Sequence, residues 1–308
     1  MTRTVETDSS LADPRAAAIA FGGLVLGVIA MGASPIFVRL ADVGPFASAF
    51  WRVALALPAL WAWARLERRG TAEAPGFYGF DWLVVAAGVL FAGDLFFWHL
   101  SITHTTVANA TFLAALAPVL VVAGSGLVLR ESVSLPIVMG LLLGLVGAAF
   151  LLGSSYSFAP ANLTGDAYGL ITACFFGAYI LAVRPARRRH GAGALIFRST
   201  VVTATVLLIV ALLMEPRILP ASLEGAAILV ALALISHVGG QGLLAVALGH
   251  LPAAFSSLVI FLEGVAAALL GWLVLDEGLT WLQFAGIAAI FAGLWIARPK
   301  NKKHAEVT

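Results

Sequence analysis

The sequence predicts an all-α polytopic membrane protein in which ten transmembrane helices form two inverted five-helix repeats, with both termini in the cytoplasm. Three observations predict this fold. The 308 residues are 61% apolar and only 11% charged, which is too little charge to cover a water-facing surface. Ten apolar runs are long enough to cross a bilayer. The second half of the chain repeats the first at a fixed offset. This composition excludes a soluble enzyme, a disordered protein and a nucleic-acid binder.

The apolar runs set the approximate limits of the ten spans. A bilayer core is about 30 Å thick and a helix rises 1.5 Å per residue, so one span needs roughly 20 residues. The connections are short and polar, and none is long enough to hold a soluble catalytic domain. The predicted spans are residues 16–38, 45–66, 81–101, 106–129, 134–153, 166–184, 194–214, 224–248, 252–275 and 280–297.

The basic residues predict the direction of the spans, because cytoplasmic loops are rich in Lys and Arg. Two of the 18 Lys and Arg residues, Arg39 and Arg217, fall on one side, and Arg52 and Arg198 fall within spans. The other fourteen lie on the opposite side: Arg3, Arg15, Arg65, Arg68, Arg69, Arg130, Arg184, Arg187, Arg188, Arg189, Arg298, Lys300, Lys302 and Lys303. We therefore expect a multi-pass protein of the cytoplasmic (inner) membrane with cytoplasmic N- and C-termini.

This topology divides the chain into four parts. We predict a cytoplasmic N-terminal tail at 1–15, a first repeat at 16–153, a second repeat at 166–297 and a basic C-terminal tail at 298–308. The polar tail and the full-length first run argue against a cleavable signal peptide. The lone cysteine, Cys174, excludes a disulfide framework and a cysteine-based metal site, and we expect neither a metal nor a cofactor.

The internal repeat has an offset of 146 residues, which is the separation of Arg52 and Arg198. Other matched pairs include His104 with His250, Glu131 with Glu277, Gly140 with Gly286 and Gly147 with Gly293. Because each half contains five spans, an odd number, the second half must be inverted in the membrane. Inverted repeats are usual in secondary transporters, with the substrate site near the midplane between the halves. The repeat therefore predicts transport.

Several motifs carry a family resemblance. Glu131 and Glu277 close spans four and nine in the settings Val-Leu-Arg-Glu and Val-Leu-Asp-Glu. Further matching segments are Ser34-Pro35-Ile36-Phe37, Phe50-Trp51-Arg52, Ala117-Pro118-Val119 and the run Thr280 to Gly286 with Gly293. These segments resemble the EamA domain of the drug/metabolite transporter superfamily, present twice over roughly 16–297. Within it, the chain is most similar to YddG-type aromatic amino-acid exporters, which implies a ten-span carrier. Gly264 departs from the pattern, since a proline that would kink the helix commonly follows the glutamate.

Ionisable groups within spans cost about 2.5–3.5 kcal/mol each at the centre of a helix and therefore need a partner or a function. Arg52 and Asp94 are predicted at a similar depth, about 10 Å, on consecutive antiparallel helices. They form either a salt bridge that locks the two helices or part of a cavity that meets a substrate carboxylate or amine. Arg198 lies close to a basic loop and can extend its charge to the cytoplasm.

Glu263 is the acid closest to the predicted midplane. It is either a protonated carboxyl bonded to a neighbouring helix or a cavity-facing acid that binds an ammonium group or a coupling proton.

In span eight, His237 and Gln241 lie one turn apart on one face. The adjacent Gly239 and Gly240 either allow close helix packing or make room for a ligand or hinge. The Gln241 amide offers both donors and an acceptor to an amino-acid zwitterion.

Spans three and four add aromatic and amide groups. Phe91, Asp94 and Trp98 form one stripe at i, i+3 and i+7. Its aromatic residues either pack and anchor the helix or, at Trp98, stack against an aromatic substrate. Asn109 either bonds a neighbouring helix or belongs to the site.

Two further groups are interpreted mainly as structural. Glu131 and Glu277 lie between spans, where a carboxylate can accept from free N–H groups at the start of the following helix. Gly140 with Gly144, and Gly286 with Gly293, permit close helix packing. That packing joins either the two halves or two protomers.

The resulting hypothesis is a carrier that exports small amphipathic metabolites, aromatic or other neutral amino acids, by alternating access. The predicted binding residues are Asp94, Trp98, Asn109, His237, Gln241 and Glu263. The predicted structural or gating residues are Arg52, Arg198, Glu131, Glu277, Gly239 and Gly240. The expected partners are a small-molecule substrate, the lipid bilayer and, if Glu263 titrates, protons, but no nucleic acid.

Three alternatives are open. One is a carrier of the same fold for drugs or other metabolites. Another is an intramembrane hydrolase built on Gly124-Ser125-Gly126 with His104, although these groups would lie about 30 Å apart, too far for activation of the serine. The third is a channel, which would need a continuous polar lining. The sequence contains no ATP-binding loop of the Gly-x-x-x-x-Gly-Lys-Ser/Thr type.

Overall fold

The computed structural model describes residues 14–69, 80–153, 159–275 and 278–299. Within these ranges the chain is helical and contains no strand. Nine helical segments in them are long and apolar enough to cross a membrane. A further apolar helix, Trp281–Ala297, has 17 residues and is shorter than these. The protein is therefore a polytopic helical membrane protein, and the tenth span stays a prediction.

Several predicted spans are interrupted, so the helices outnumber the spans. The first half contains α1 (Pro14–Gly32), α2 (Ser34–Leu40), α3 (Pro45–Ala54), α4 (Leu57–Arg69), α5 (Trp82–His104), α6 (Val107–Ala114), α7 (Ala117–Leu127) and α8 (Leu135–Gly153). The second half contains α9 (Leu163–Ala186), α10 (Ala192–Met214), α11 (Leu223–Ala231), a π-helical segment (Leu232–Gln241), α12 (Gly242–Leu248), α13 (Ala253–Val259), α14 (Phe261–Leu275) and α15 (Trp281–Ala297).

Prolines account for three of the interruptions. Pro35, Pro58 and Pro118 each occupy the second position of the helix that follows a break, in α2, α4 and α7. A proline is tolerated there because the first-turn N–H groups have no partner within the helix. In the middle of a span the same residue ends the preceding helix.

The break between α13 and α14 has another cause. Gly264 replaces the proline of the family pattern, yet the helix is still interrupted at Ile260, whose repeat mate Ala114 ends α6. Here the Ile260 N–H donates to the Ser257 carbonyl at 3.1 Å, and the Glu263 N–H donates to the Ile260 carbonyl at 2.8 Å. These are i to i−3 bonds of a tight 3₁₀ turn. This interruption therefore matches the break after α6 in the first half, although the two breaks do not share a proline.

α8 and α15 pack closely and run antiparallel. A Cβ built on Gly140 would lie 2.8 Å from the Gly293 carbonyl oxygen, and one on Gly147 would lie 2.7 Å from the Gly286 oxygen. From the first contact to the second, the residue number rises on α8 and falls on α15, so the two helices run in opposite directions. The small residues therefore join the two halves of one chain, which answers the question left open by the sequence.

Glu67 and Glu215 each cap a helix of the opposite half. Glu67 in α4 accepts from the Ala194 N–H of α10 at 3.2 Å. Glu215, directly after α10, accepts from the Phe46 and Ala47 N–H groups of α3 at 2.7 and 3.1 Å. First-turn N–H groups have no partner within their own helix and favour a nearby negative charge. Each half therefore fastens the start of a helix in the other, at opposite ends of the bundle.

The core is a continuous cluster of buried apolar side chains from both halves, including Leu24, Leu60, Ile180, Leu195 and Leu244. We call the end of the bundle where α4, α7, α9 and α12 terminate the basic end, because Arg130, Arg184 and Arg187 lie there.

Candidate functional site

A cavity lies between the two halves of the bundle. Its lining comes from α1, α2, α3, α5, α6, α8 and α9, from the π-helical segment, from α14 and from the breaks that follow α6 and α13. The lining residues are Met31, Ser34, Pro35, Arg52, Asp94, Leu95, Trp98, Thr111, Ala114, Ala115, Ala148, Leu151, Leu152, Thr172, Phe176, Gln241, Ile260, Phe261, Glu263 and Gly264. Five predicted residues of the site or its gate therefore meet in one place: Arg52, Asp94, Trp98, Gln241 and Glu263.

The cavity is nearer to the end opposite the basic end. Leu152 is the residue before the last of α8. By contrast, Gln241 lies seven residues before Leu248 at the end of α12, and Ile260 lies seven residues after Ala253 at the start of α13. The lining therefore stops about two helical turns short of the basic end.

Two buried polar side chains in the lining have atoms without a hydrogen-bond partner in the described structure. Arg52 is 6% exposed; its Nη1 donates to Ser34 Oγ at 3.0 Å, but its Nε has no acceptor. Gln241 is 2% exposed; its Nε2 contacts the Met31 sulfur at 3.8 Å, but its Oε1 has no donor. Buried polar atoms normally have partners, so a donor and an acceptor are available to a ligand here.

Asp94 and Glu263 bring two carboxyl groups to the same cavity. The Arg52–Asp94 salt bridge that the sequence permitted is not formed, since no nitrogen–oxygen pair between them lies within 4.0 Å in the described structure. The guanidinium is instead bonded to Ser34 on α2. The interpretation that the pair locks α3 to α5 is therefore wrong for this structure, and both side chains line the cavity.

The aromatic stripe of α5 divides between the cavity and the core. Trp98 lines the cavity beside Phe176 of α9. Phe91 is buried outside it, with its ring 5.0 Å from Tyr179 and 5.4 Å from His237 between centroids. Trp98 is therefore the stripe's aromatic residue within reach of a cavity ligand.

Asn109 and His237 lie outside the cavity lining. Asn109 Nδ2 donates to Asp166 Oδ1 at 2.9 Å, and its Oδ1 accepts from Thr106 Oγ1 at 2.8 Å. His237 Nε2 lies 2.9 Å from Thr200 Oγ1. Both residues therefore connect helices, which for Asn109 was one of the two interpretations of the sequence.

Arg198 does not extend into solvent as expected. It is 5% exposed, and its Nη1 lies 3.4 Å from His190 Nδ1. His190 Nε2 in turn lies 2.9 Å from Asp81 Oδ2, the N-cap residue of α5. The Arg198 guanidinium is therefore buried against His190, and His190 connects it to Asp81 at the basic end.

The two predicted glycines of the π-helical segment differ. A Cβ on Gly240 would collide with Met31 and would lie 3.2 Å from the Gly27 carbonyl oxygen. A Cβ on Gly239 would meet its nearest atom at 3.5 Å, an ordinary contact. Close packing against α1 therefore requires Gly240 and does not require Gly239.

Glu131 caps a helix, but a different one from the one predicted. Its Oε2 accepts from the Ala253 N–H at the start of α13 at 2.9 Å, and its Oε1 accepts from Arg184 Nε at 2.7 Å. The preceding Arg130 has a left-handed backbone, with φ of 56°, so the chain turns away from the path of α7. Both partners of Glu131 lie in the second half. Glu277 lies outside the described residues.

The sequence interpretation missed the hydroxyl groups of the site. Ser34, Thr111 and Thr172 line the cavity, and Thr172 Oγ1 donates to the Tyr168 carbonyl at 3.0 Å. A hydroxyl in an apolar run is ordinary for a membrane helix. At Ser34 a signal existed, because Ser-Pro interrupts the first apolar run.

The groups proposed for a hydrolase do not meet. Ser125 is fully buried in α7, and its hydroxyl has no partner in the described structure. His104 is the last residue of α5, where its Nδ1 lies 2.9 Å from the Leu100 carbonyl oxygen.

Comparison with known proteins adds three findings. A model of the EamA-like transporter family matches residues 18–153 and again residues 163–298. The pseudopaline exporter CntI, from two strains of Pseudomonas aeruginosa, is 26% identical over 220 residues, or 71% of this chain and 76% of the exporter. A solved crystal structure superposes with a TM-score of 0.78 at 21% identity, covering 92% of this chain and 96% of the other, which shows the shared fold.

Proposed function

This chain belongs to the EamA-like transporter family, and on that premise we propose that it exports small amphipathic metabolites across the cytoplasmic membrane by alternating access. Its proposed substrates are aromatic or other neutral amino acids. The family and the related exporter point to a transporter and not to an enzyme. The name of that relative, a pseudopaline exporter, supports metabolite export in general.

The observation that carries the substrate proposal is the mixture of groups in the cavity. Arg52 supplies a cation, Asp94 and Glu263 supply carboxyl groups, and Trp98 and Phe176 supply aromatic surface. An amino acid presents the complementary set: a carboxylate, an ammonium group and an apolar or aromatic side chain. Mostly apolar pockets with a few converging polar groups are typical of small-molecule sites.

The packing of matched helices supports alternating access. α8 and α15 occupy equivalent places in the two halves and run antiparallel through Gly140 with Gly293 and Gly147 with Gly286. We propose that the halves are inverted repeats, with ten spans and both termini in the cytoplasm. Rocking of one repeat against the other would then expose the cavity to each side in turn.

The proposal is tested by transport in liposomes that contain the full chain. Labelled phenylalanine or tryptophan should cross these membranes faster than it crosses the membranes of empty liposomes. Excess unlabelled substrate should slow this movement by competition. Trp98→Leu should slow transport, because an aromatic surface worth about 0.5–1.5 kcal/mol is lost from the cavity. Trp281→Leu is the matched control, since Trp281 is 89% exposed at the start of α15.

Two outcomes would contradict this assignment. If none of a panel of amino acids crosses the membrane, the proposed substrate class is wrong. Equal slowing by Trp98→Leu and Trp281→Leu would remove the cavity as the path. Movement of other amphipathic compounds alone would favour the drug or general metabolite carrier of the same fold.

A further inference from the structure

We infer that Arg52, held in place by Ser34, selects substrates by their free carboxylate, so that the transporter discriminates amino acids from the corresponding amines. This inference rests on the proposed function and specifies the chemistry of the same cavity. It assigns Ser34 as a positioning residue and Arg52 as a specificity-determining residue.

The Arg52 guanidinium uses one edge for Ser34 and leaves another open. Nη1 is occupied by Ser34 Oγ at 3.0 Å, whereas within the described residues Nε has no partner and Nη1 is the guanidinium nitrogen that makes a hydrogen bond. The Nε and Nη2 donors form one planar edge, which matches the two oxygens of a carboxylate. The edge left open is therefore one suited to bidentate binding of a carboxylate.

Arg52 is separated from the two acids that line the same cavity. A flexible arginine would be expected to pair with Asp94 or Glu263, yet neither carboxyl group lies within 4.0 Å of it in the described chain. The Ser34 bond, which involves a residue only 4% exposed, holds the guanidinium away from them. The cation is thus left for an external anion.

The cavity also contains hydrogen-bond acceptors, which form a second pole beside the Arg52 cation. Asp94, Glu263 and the unpartnered Oε1 of Gln241 are all acceptors that line the cavity. An ammonium group carries three donors and no acceptor. A ligand with both a carboxylate and an ammonium group would satisfy both poles, whereas an amine alone would leave the buried Arg52 edge unpaired, which is unfavourable.

The experiment compares two matched pairs of compounds on the full-length protein in detergent: phenylalanine with phenethylamine, and leucine with isoamylamine. Apparent affinity is measured from the stabilisation of the thermal transition as ligand is titrated. The wild type should bind the amino acid of at least one pair at least about tenfold more tightly than its amine, since a site built to bond a group strongly rejects an analogue that lacks it.

Ser34→Ala isolates the positioning role without removing a charge. It should weaken amino-acid binding by roughly two- to tenfold, which is the effect of one hydrogen bond, and leave amine binding unchanged. Ser256→Ala is the matched control, because Ser256 is also buried but lies outside the cavity, and its hydroxyl, unlike that of Ser34, has no hydrogen-bond partner in the described structure. Arg52→Gln should abolish the preference for the amino acid and leave amine binding equal or stronger.

The outcomes separate this inference from the function on which it rests. If no amino acid or amine binds and none is transported, the proposed function fails and the inference with it. If the amino acids bind but the amines bind as tightly, the inference alone is overturned. If folded Ser34→Ala has the same ratio of amino-acid affinity to amine affinity as the wild type, the role of Ser34 is overturned.

Discussion

Arg184 and Glu131 form an ion pair between the two repeats, with Nε 2.7 Å from Oε1. Arg184 also donates to the Leu248 carbonyl at 2.6 Å, and Glu131 also accepts from the Ala253 N–H at 2.9 Å. These bonds join α9, the connection after α7, and the ends of α12 and α13 at the basic end, where the cavity lining stops short. The repeat mate of Arg184 is Val38, so the same pair cannot form at the opposite end.

Removal of the Glu131 carboxylate is expected to destabilise the fold. The Arg184 and Glu131 side chains are only 9% and 14% exposed, so Glu131→Ala leaves a nearly buried cation without its counter-ion. The expected loss is about 3–5 kcal/mol, measured as a lower thermal transition or a lower denaturant midpoint in detergent. Glu224→Ala, at an exposed site in α11, should change stability by less than about 0.5 kcal/mol. Equal effects of the two changes would contradict this expectation.

The same pair should also bias the conformation of the carrier. Glu131→Gln keeps the side chain's shape but loses a charged hydrogen bond, which contributes about 1.5–3 kcal/mol. Since 1.4 kcal/mol is a factor of ten in an equilibrium constant, opening of the basic end should rise roughly tenfold or more. The readout is labelling of Ser257→Cys, a buried position on α13, by an impermeant maleimide in a Cys174→Ala background.

Labelling at a second position serves as the control for this shift. Ser34→Cys, on the opposite side of the cavity, should be labelled more slowly in Glu131→Gln than in the parent, because the proposed alternating access would couple the two ends. Faster labelling at both positions would indicate general loosening and would contradict a role of the pair as a gate.

The fold was predictable from the sequence because each apolar run must form a helix that satisfies its own backbone in lipid. The helix interruptions were less predictable. Those at Pro35 and Pro118 follow from proline chemistry, but the one at Ile260 depends on a 3₁₀ turn without proline. The caps at Glu67 and Glu215 were not foreseen either, because their partners lie more than 120 residues away in the other repeat.

That Arg52, Asp94 and Glu263 line the cavity agrees with the expectation that a charged side chain within a span needs a partner or a function; their part in substrate binding or gating stays a prediction. The same reasoning does not show whether a polar side chain faces a cavity or bonds to a partner elsewhere in the fold. Asn109 and His237 bond to residues 57 and 37 positions away, which only the tertiary structure brings near. The cavity-lining hydroxyl groups of Thr111 and Thr172 carry no comparable signal, since hydroxyl side chains are common in membrane helices.

The close contact of α8 with α15 should not tolerate a larger side chain. A Cβ at Gly147 would lie 2.6 Å from Ile290 Cγ1 and 2.7 Å from the Gly286 carbonyl oxygen, so the helices would have to separate. Gly147→Ala is expected to destabilise the protein by about 1–3 kcal/mol. Gly22→Ala is the control: a Cβ there meets nothing within 4 Å, and alanine favours a helix. A loss of stability in Gly22→Ala as large as in Gly147→Ala would contradict the packing argument.

Asp81 makes stability depend on acid pH. Burial raises the pKa of Asp81, but hydrogen bonds from the His190 ring and the Val84 N–H outweigh it, so this pKa lies below its ordinary 3.8. A carboxyl with a lowered pKa stabilises the fold above its unfolded pKa, about 3.9, and loses that contribution as the pH falls through the folded value.

Asp81→Asn tests this pH dependence, since the amide oxygen can still cap α5 while the charge is lost. The wild type should melt at a higher temperature than the variant between pH 5 and 7, and the difference should shrink as the pH falls below about 4. A difference in melting temperature that stays constant from pH 7 to pH 3 would show that the charge of Asp81 is not responsible.

We predict that Glu263 carries the coupling proton if export is driven by a pH gradient. Exchange of labelled for unlabelled substrate needs only the loaded carrier to reorient, whereas accumulation against a gradient needs the empty carrier to return with a coupling ion. If Glu263 carries the proton, Glu263→Gln should lose accumulation driven by a pH gradient and retain exchange. Glu224→Gln, at an exposed position outside the cavity, should retain both activities.

Undiminished pH-driven accumulation in Glu263→Gln would exclude this residue as the proton carrier. Loss of exchange as well would assign it to substrate binding, since the variant lacks the charge that an ammonium group would meet.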